Sequence, residues 1–477
     1  MSTRTLVADH LTPTLAYAKL RASCTSSAPQ FLYESAVSGD RWSRYSILGY
    51  APQFELRIDR LDDGTASWSA HGTVPPEIEL ATTGPVLERL RIKPRPAGVG
   101  PLRFEHGLYG YVAYDLVHAI AKVPAGSRAT WDAHYVPLAR LFGGFRLVVF
   151  DNLHGTVTLL ASDEAALDEV EAALAAPVAL SALPLPSAHV AADAPFDVDL
   201  DDEAYRAVVA RCHEYVLAGD AFQIVPSREF SVAAPGLDPL RVYRAARILN
   251  PAPYMYLWEL PDGPVALVGA SPETLARVDV GPHGTPRLLV RPIAGTRRRG
   301  TDDAEDQALE AELLADEKER AEHVMLVDLA RNDVGRIAKV GTVQVQKLLT
   351  VERGSHVMHL VSEVIGELRD DVSPLAAFGA AFPAGTLTGA PKVRAMQIIR
   401  EVEALPRNFY GGAVGYLLPS GELDFAIAIR TAVQRDGRLV VRAGGGVVEA
   451  SDAQAEADET RNKAKAMLSA ILSVVRQ

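Results

Sequence analysis

LLADEKERAEHVMLVDLARND, residues 313–333, reads as a partly buried helix into which acids have been packed. Leu314, Ala321, Met325 and Leu329 recur at helical spacing, and Glu319 and Glu322, three residues apart, share one face. Near the C-terminus AEADETRNK repeats the device, with Glu456 and Glu459 three apart and Lys463 one turn later. Acid pairs at this spacing are common on solvated faces, where Lys318, Arg320 and Lys463 would serve as surface partners. Two such pairs on two helices instead suggest one shared cation. Carboxylate oxygens suit Mg²⁺, which keeps several waters and takes one or two carboxylates directly, so four acids suffice for a mixed inner and outer shell.

Around these helices the chain is rich in strands. FLYESAVSG, RYSILGY, FELRID and FRLVVFD precede residue 152, and PYMYLWEL, VALVGAS, AVGYLLP, LDFAIAIRTAVQ and RLVVRAGGGVV follow residue 252. SDEAALDEVEAALAA, starting at Ser162 or Asp163, and DDEAYRAVVARCHEYVLAGD, closed by Gly219, read as helices. Runs of strands with several helices, and no regular βαβ alternation, predict an α+β fold. AAPVALSALPLPSAHVAADAPFD, rich in Ala and Pro, divides the chain into an N-terminal region 1–175, a linker 176–196 and a catalytic region 197–477.

With 477 residues, 48% of them hydrophobic, the chain can bury a large core. MSTRTLVADH has no apolar signal core and no later run is long enough to span a bilayer, which makes a cytoplasmic location the default and a membrane partner unexpected. Cys24 and Cys212 are too few for a disulfide framework. A net charge of -12 argues against a nucleic-acid partner, and the basic cluster Arg297, Arg298 and Arg299 is local.

Five further segments bracket polar residues with Gly and Pro at strand ends: GASPE (269–273), RPIAGTRRRG (291–300), FPAGTLTGAPK (382–392), FYGGAVGY (409–416) and RAGGGVV (442–448). Together with the two acidic helices, in this order, they closely resemble the chorismate-utilising enzymes over nearly all of residues 200–470. The resemblance implies large, mostly antiparallel sheets forming a two-layer β core flanked by helices. It also implies a Mg²⁺ ion held directly by Glu322 and Glu459, and through water by Glu319 and Glu456, bridging to the ring carboxylate of chorismate. Tyr410 and Arg430 would meet the enolpyruvyl carboxylate, the guanidinium holding an anion through parallel hydrogen bonds. Gly444, Gly445 and Gly446 would offer backbone N–H groups to the ring carboxylate, with Lys463 adding positive charge. The same resemblance makes Glu273 the donor to the departing hydroxyl, which requires a raised pKa, and has Thr296 and Thr386 orient oxygens. His359 matches a position linked to the later loss of pyruvate. His356, an odd number of residues away, would face the other side of a strand.

Two positions bear on the nucleophile. Relatives that add water carry a lysine base where this chain has Gln223, which cannot take a proton from water. Others carry a nucleophilic lysine where this chain has Ala294. The expectation is therefore the anthranilate-forming branch: ammonia adds to the ring, the hydroxyl leaves, and pyruvate is eliminated. Neither cysteine sits in a glutaminase nucleophile turn, so a separate glutamine amidotransferase subunit is implied as partner. Glu34, Ser35, Arg44, Tyr45 and Ser46, with Pro253, Tyr254 and Met255, resemble segments that form a tryptophan feedback site in the family. An enzyme that stops at the aminodeoxyisochorismate stage, and a silent tryptophan-binding relative, are the competing readings. Gly354 stands where relatives usually carry an aromatic residue, which predicts looser packing near His359.

Overall fold

The computed structural model describes residues 2–24, 28–36, 44–61, 65–125, 135–186, 196–260, 265–280, 284–354 and 357–475. His356 and residues 187–195 of the Ala/Pro-rich segment lie outside them. Among the described residues, two antiparallel sheets of 11 strands each dominate, with two small two-stranded sheets beside them. The first runs from the edge strand Ser2–Val7 through Thr156–Ala161, Arg146–Asp151, Tyr45–Tyr50, Gln30–Glu34, Tyr254–Leu260, Val265–Ser271, Thr431–Arg435, Arg438–Gly444 and Ser227–Ala233 to Asp197–Val198. In the second, Thr274–Val280, Leu423–Ile427, Ala413–Leu417 and Leu108–Val112 are central, and Val357–Glu367 pairs with Ile293–Arg298 and Gln344–Arg353 toward one edge. Each sheet takes strands from before and after the 176–196 segment; Met255 pairs with Glu34, and Gly415 with Gly110.

Aromatic side chains seal the two sheets face to face. Phe31 stacks on Tyr109 at 4.8 Å and on Trp258 at 4.9 Å, and Phe145 meets Phe31 edge-on at 5.0 Å. Each fully buried ring of this kind contributes about 1.5–3 kcal/mol of burial free energy, so the cluster joins the layers far more strongly than any one ion pair.

The chain passes between the sheets at two places that matter for chemistry. Val265–Ser271 belongs to the first sheet and Thr274–Val280 to the second, leaving Pro272 and Glu273 at the crossing. LDFAIAIRTAVQ, read above as one strand, is two: Leu423–Ile427 in the second sheet and Thr431–Arg435 in the first. The switch needs a sharp turn, and Arg430 makes it with a left-handed φ of 52°. A non-glycine residue in that region stores strain, tolerated where the surroundings fix it.

The 313–333 stretch is likewise two elements. Helix Asp303–Ala315 ends at Asp316, whose carboxylate accepts from Glu319 N at 3.0 Å and so caps a new helix, Glu317–Gly335. The buried face of that helix is His323, Leu326, Val327, Ala330 and Val334. Ala321 is exposed, and Met325 and Leu329 are only half-buried, so the buried face is turned from the one the apolar spacing picked out. Gly354 follows the strand Gln344–Arg353 rather than interrupting it. Its N–H donates to Val357 O at 2.8 Å and its carbonyl accepts from Arg299 at 2.6 Å. No helix among the described residues is long and apolar enough to cross a membrane.

Candidate active site

The two acidic pairs do approach each other. Helix Glu317–Gly335 carries Glu319 and Glu322, and helix Ala453–Val475 carries Glu456 and Glu459. Burial raises the Glu322 carboxyl above its ordinary pKa, and the charges of Glu319 and Glu459 raise it further. Glu456 is pushed up to about 7, first by burial and then by Glu459. Burial would raise Glu459 too, but Lys463 Nζ, 2.5 Å from Glu459 Oε1, holds it below its usual range, with Arg430 assisting. Two carboxyls raised first by burial and then by nearby acids are groups whose ionised forms the protein itself leaves uncompensated.

Among the described residues no three Asp, Glu, His or Cys side chains are gathered tightly enough to hold an ion by themselves. An ion that keeps much of its water does not need such a cage. The donor set is entirely carboxylate, as a hard cation requires, and Glu456 Oε2 is buried without a hydrogen-bond partner. Glu456 is otherwise oriented by Ser451 Oγ, 2.8 Å from its Oε1, and a Cβ at position 445 would come within 2.5 Å of its Oε2, so a side chain there would displace the carboxylate. On the opposite helix Arg297 donates to Asp316 at 2.7 Å and to Glu319 at 3.4 Å. The arginine cluster that looked merely local thus steers one of the four acids. The signal available in the sequence was its place in the Gly-bounded RPIAGTRRRG motif.

Gln223 lies beside the acids. Its Nε2 donates to Glu322 Oε1 at 2.9 Å, which fixes the amide orientation, and its Oε1 is buried without a partner. A Cβ at position 446 would come within 2.7 Å of Gln223 Nε2, so a side chain there would push the amide aside. The three glycines are not equivalent donors. Gly445 N–H is occupied by Pro226 O and the Tyr205 hydroxyl, both at 3.3 Å, and Gly444 O accepts from Lys463 at 3.0 Å.

Glu273 is buried at the first sheet crossing and Arg430 ends the second. The Glu273 carboxyl is pushed up to about 8 by burial, against the lowering effect of the Thr386 hydroxyl, which donates to its Oε1 at 3.0 Å, and of Arg430, Arg291 and Lys463. Among the described residues the Arg430 guanidinium enters no side-chain hydrogen bond or salt bridge. Burial lowers its pKa, while Tyr410, Glu273 and Glu459 favour its charge. Tyr410 is buried, with its hydroxyl 2.8 Å from where a Cβ at position 444 would stand. Thr296 and His359 face each other in paired strands, Thr296 Oγ1 lying 3.0 Å from His359 Nδ1. Burial and then the charge of Arg430 lower the imidazole pKa and keep it neutral at neutral pH. Arg430 and Lys463, felt from both sides, join the acid cluster and the Glu273 group into one electrostatic unit.

A separate cavity of about 550 Å³ lies between the two sheets. Glu34, Ser35, Arg44, Tyr45, Pro253, Tyr254 and Met255 line it. Ser46 does not: alternation along Tyr45–Tyr50 turns it to the other face, where Asn152 donates to its hydroxyl at 3.2 Å. Glu34 is engaged at the cavity edge by the Tyr243 hydroxyl and by Arg247 at 3.4 Å. Arg277, Glu422 and Asp424 also line the cavity. Asp424 is raised to about 6 by burial and accepts from the Tyr254 hydroxyl at 2.9 Å; that same hydroxyl is 2.8 Å from Thr274 Oγ1, next to Glu273. Asp424 is masked in the sequence by the apolar strand Leu423–Ile427 that carries it.

Comparison with known proteins agrees with this geometry. Residues 30–469 match the family model described as chorismate binding enzyme. The chain is 44% identical, over 98% of its length and 92% of the relative's, to anthranilate synthase component 1 of Mycobacterium bovis. It is 40% identical, over 98% and 94%, to the protein of that name from Acinetobacter calcoaceticus. Among solved structures, anthranilate synthase component I from Streptococcus pneumoniae TIGR4 superposes with a TM-score of 0.74 at 33% identity, covering 98% of this chain and all of that one. The isochorismate synthase MenF of Escherichia coli shares the fold, with a TM-score of 0.68 at 19% identity, 98% of this chain and 95% of that one being covered. By sequence over nearly its whole length and by the architecture that carries the site, the chain belongs to the chorismate-binding enzyme family.

Proposed function

We propose that the chain converts chorismate and ammonia to anthranilate and pyruvate, the oxo-acid-lyase reaction for which its relatives are named and the entry step to tryptophan. The observation that carries this reading is Glu273: a buried carboxyl that stays protonated up to about pH 8, within reach of the Thr386 hydroxyl and the field of Arg430. A proton donor at neutral pH beside an anion-binding guanidinium is what departure of a ring hydroxyl from a dicarboxylate requires.

Arg430 and Tyr410 hold the enolpyruvyl carboxylate. Lys463, with N–H groups of the 444–446 segment that the fold leaves free, attracts the ring carboxylate. Glu322 and Glu459 would hold Mg²⁺ directly, and Glu319 and Glu456 through water; when bound, the ion supplies positive charge that compensates both the acids and the substrate carboxylate. As ammonia forms its bond at C2, the C4–oxygen bond breaks and the hydroxyl takes the Glu273 proton to leave as water. Gln223, held by Glu322, offers its unpartnered Oε1 as an acceptor toward the incoming nitrogen, where a lysine would have served water instead. The C2 proton then leaves, the bond between the ring and the enolpyruvyl oxygen breaks, and the enolpyruvyl methylene takes up a proton, releasing pyruvate and the aromatic ring. We assign that second stage to His359, whose burial favours the neutral imidazole and whose Nδ1 lies 3.0 Å from Thr296 Oγ1.

Ammonia comes from a glutamine amidotransferase partner, a second component to this one. The inter-sheet cavity takes tryptophan as feedback inhibitor. In support, seven of the eight residues expected there line one cavity whose Tyr254 hydroxyl reaches Thr274, the neighbour of Glu273. A direct test is calorimetric titration of the purified chain with L-tryptophan alongside turnover. Binding at micromolar concentration with parallel inhibition supports the assignment, and inhibition without binding in this cavity opposes it.

A further inference from the structure

Beneath the substrate-facing residues lies a buried ionic cluster that the reaction does not touch. Glu403, Arg407 and Arg442 are 4%, 3% and 6% exposed. Arg407 forks onto Glu403 at 2.6 and 2.9 Å, and Arg442 donates to Glu403 Oε2 at 3.0 Å. Burial would raise the Glu403 carboxyl, but the two guanidinium groups hold it below its ordinary range. Such a cluster is a poor way to gain stability, since removing three charges from water offsets most of what their pairing returns.

What distinguishes Arg407 is where its remaining donors go. Nη1 donates to Leu387 O at 2.7 Å, and Leu387 follows Thr386. Nη2 donates to Val225 O at 2.6 Å, two residues beyond Gln223. The guanidinium carbon sits 5.5 Å from the ring centroid of Tyr410 and 4.8 Å from that of Tyr114. One planar fork thus touches the three chain segments that present Gln223, Thr386 and Tyr410. Lysine offers a single point of donation and cannot span them.

We propose that Arg407 is a positioning residue for the reaction, locking the segments bearing Gln223, Thr386 and Tyr410 into one body. The inference rests on the chorismate reading above, because those three side chains matter only if they share a substrate. The experiment keeps the two apart. Wild-type turnover of chorismate and ammonium to anthranilate tests the reading, and a double-mutant cycle with Arg407→Lys and Thr386→Val tests the inference. The R407K chain, folded by circular dichroism, should lose about tenfold to a hundredfold in kcat per folded enzyme, the cost of misplacing a reacting group by about 1 Å. R407K/T386V should lose clearly less than the product of the two single losses, because part of what Arg407 does passes through the Thr386 hydroxyl. A kcat within about twofold of wild type, or losses that multiply in the double variant, would overturn the proposal. If R407K does not fold, Arg407→Gln carries the same cycle, since it leaves Glu403 paired with Arg442.

Discussion

The side-chain amide of Gln223 donates to Glu322 Oε1 at 2.9 Å, joining the short strand Gln223–Ile224 to the acid-bearing helix. The position proposed to face the incoming nitrogen is therefore mechanically coupled to an expected metal ligand. Gln223→Leu should lower kcat/KM by about 10- to 100-fold, corresponding to ~1.5–3 kcal/mol for a hydrogen bond to a charged group. Steady-state kinetics with ammonium as nitrogen source checks this; an unchanged kcat/KM would mean that the bond is idle in turnover.

Glu273 makes the reaction pH-sensitive in a defined direction. Its carboxyl is raised to about 8, so the proton needed by the leaving hydroxyl is present below that pH and lost as pH rises through it. On the alkaline side the kcat/KM profile should decline as pH rises through about 8. Glu273→Gln, which cannot donate a carboxyl proton, should lose about 10²- to 10⁴-fold in kcat and no longer show that alkaline decline. A decline persisting in the variant would assign it to another group.

The acid cluster is tested by charge removal. Glu322→Gln keeps the shape of the side chain and its contact with Gln223 but removes one expected direct ligand. Turnover should disappear at every Mg²⁺ concentration while the circular dichroism spectrum is retained. Retained activity with ordinary Mg²⁺ dependence would contradict the metal assignment.

Arg228 shows how the second acidic helix is held. This fully buried side chain donates to Thr460 Oγ1 at 2.9 Å, to Ala457 O at 2.9 Å and to Asp202 at 2.8 Å, clamping the turn between Glu456 and Glu459. Arg228→Ala strips its polar partners of a donor in a buried setting and should cost about 3–5 kcal/mol in urea denaturation. A loss below about 1 kcal/mol would show that solvent replaces it readily.

Much of this site was legible in the sequence because it rests on local devices. Acid pairs three apart on helices, and Gly-rich segments at strand ends, keep their geometry whatever surrounds them. Glu319 and Glu322 accordingly share the helix Glu317–Gly335, and Glu456 and Glu459 the helix Ala453–Val475, as their spacing predicts. Relations set by tertiary packing were not legible. Asp316 restarts a helix that periodicity read as continuous, and the apolar run 423–434 conceals a change of sheet because both halves are buried and neither shows alternation. The Arg407 fork joins carbonyls far apart in sequence, and no pattern in PRNFYGG announces them.

Tyr254 lines the cavity and reaches Thr274, the chain neighbour of Glu273. Tyr254→Phe removes the hydroxyl that contacts both Thr274 and Asp424. Activity without tryptophan should remain within about threefold of wild type, while inhibition at a fixed tryptophan concentration weakens by about tenfold, matching ~1–1.5 kcal/mol for one buried hydrogen bond. Inhibition curves for the two proteins decide it; identical curves would separate the cavity from the catalytic group.

The most direct measurement is product identification after incubating the purified chain with chorismate, Mg²⁺ and an ammonium salt. The account predicts anthranilate, seen by fluorescence and chromatography, with one pyruvate for each anthranilate formed. A non-aromatic amino product that keeps its enolpyruvyl group would contradict the second stage and the role given to His359. No product at all would contradict the account as a whole.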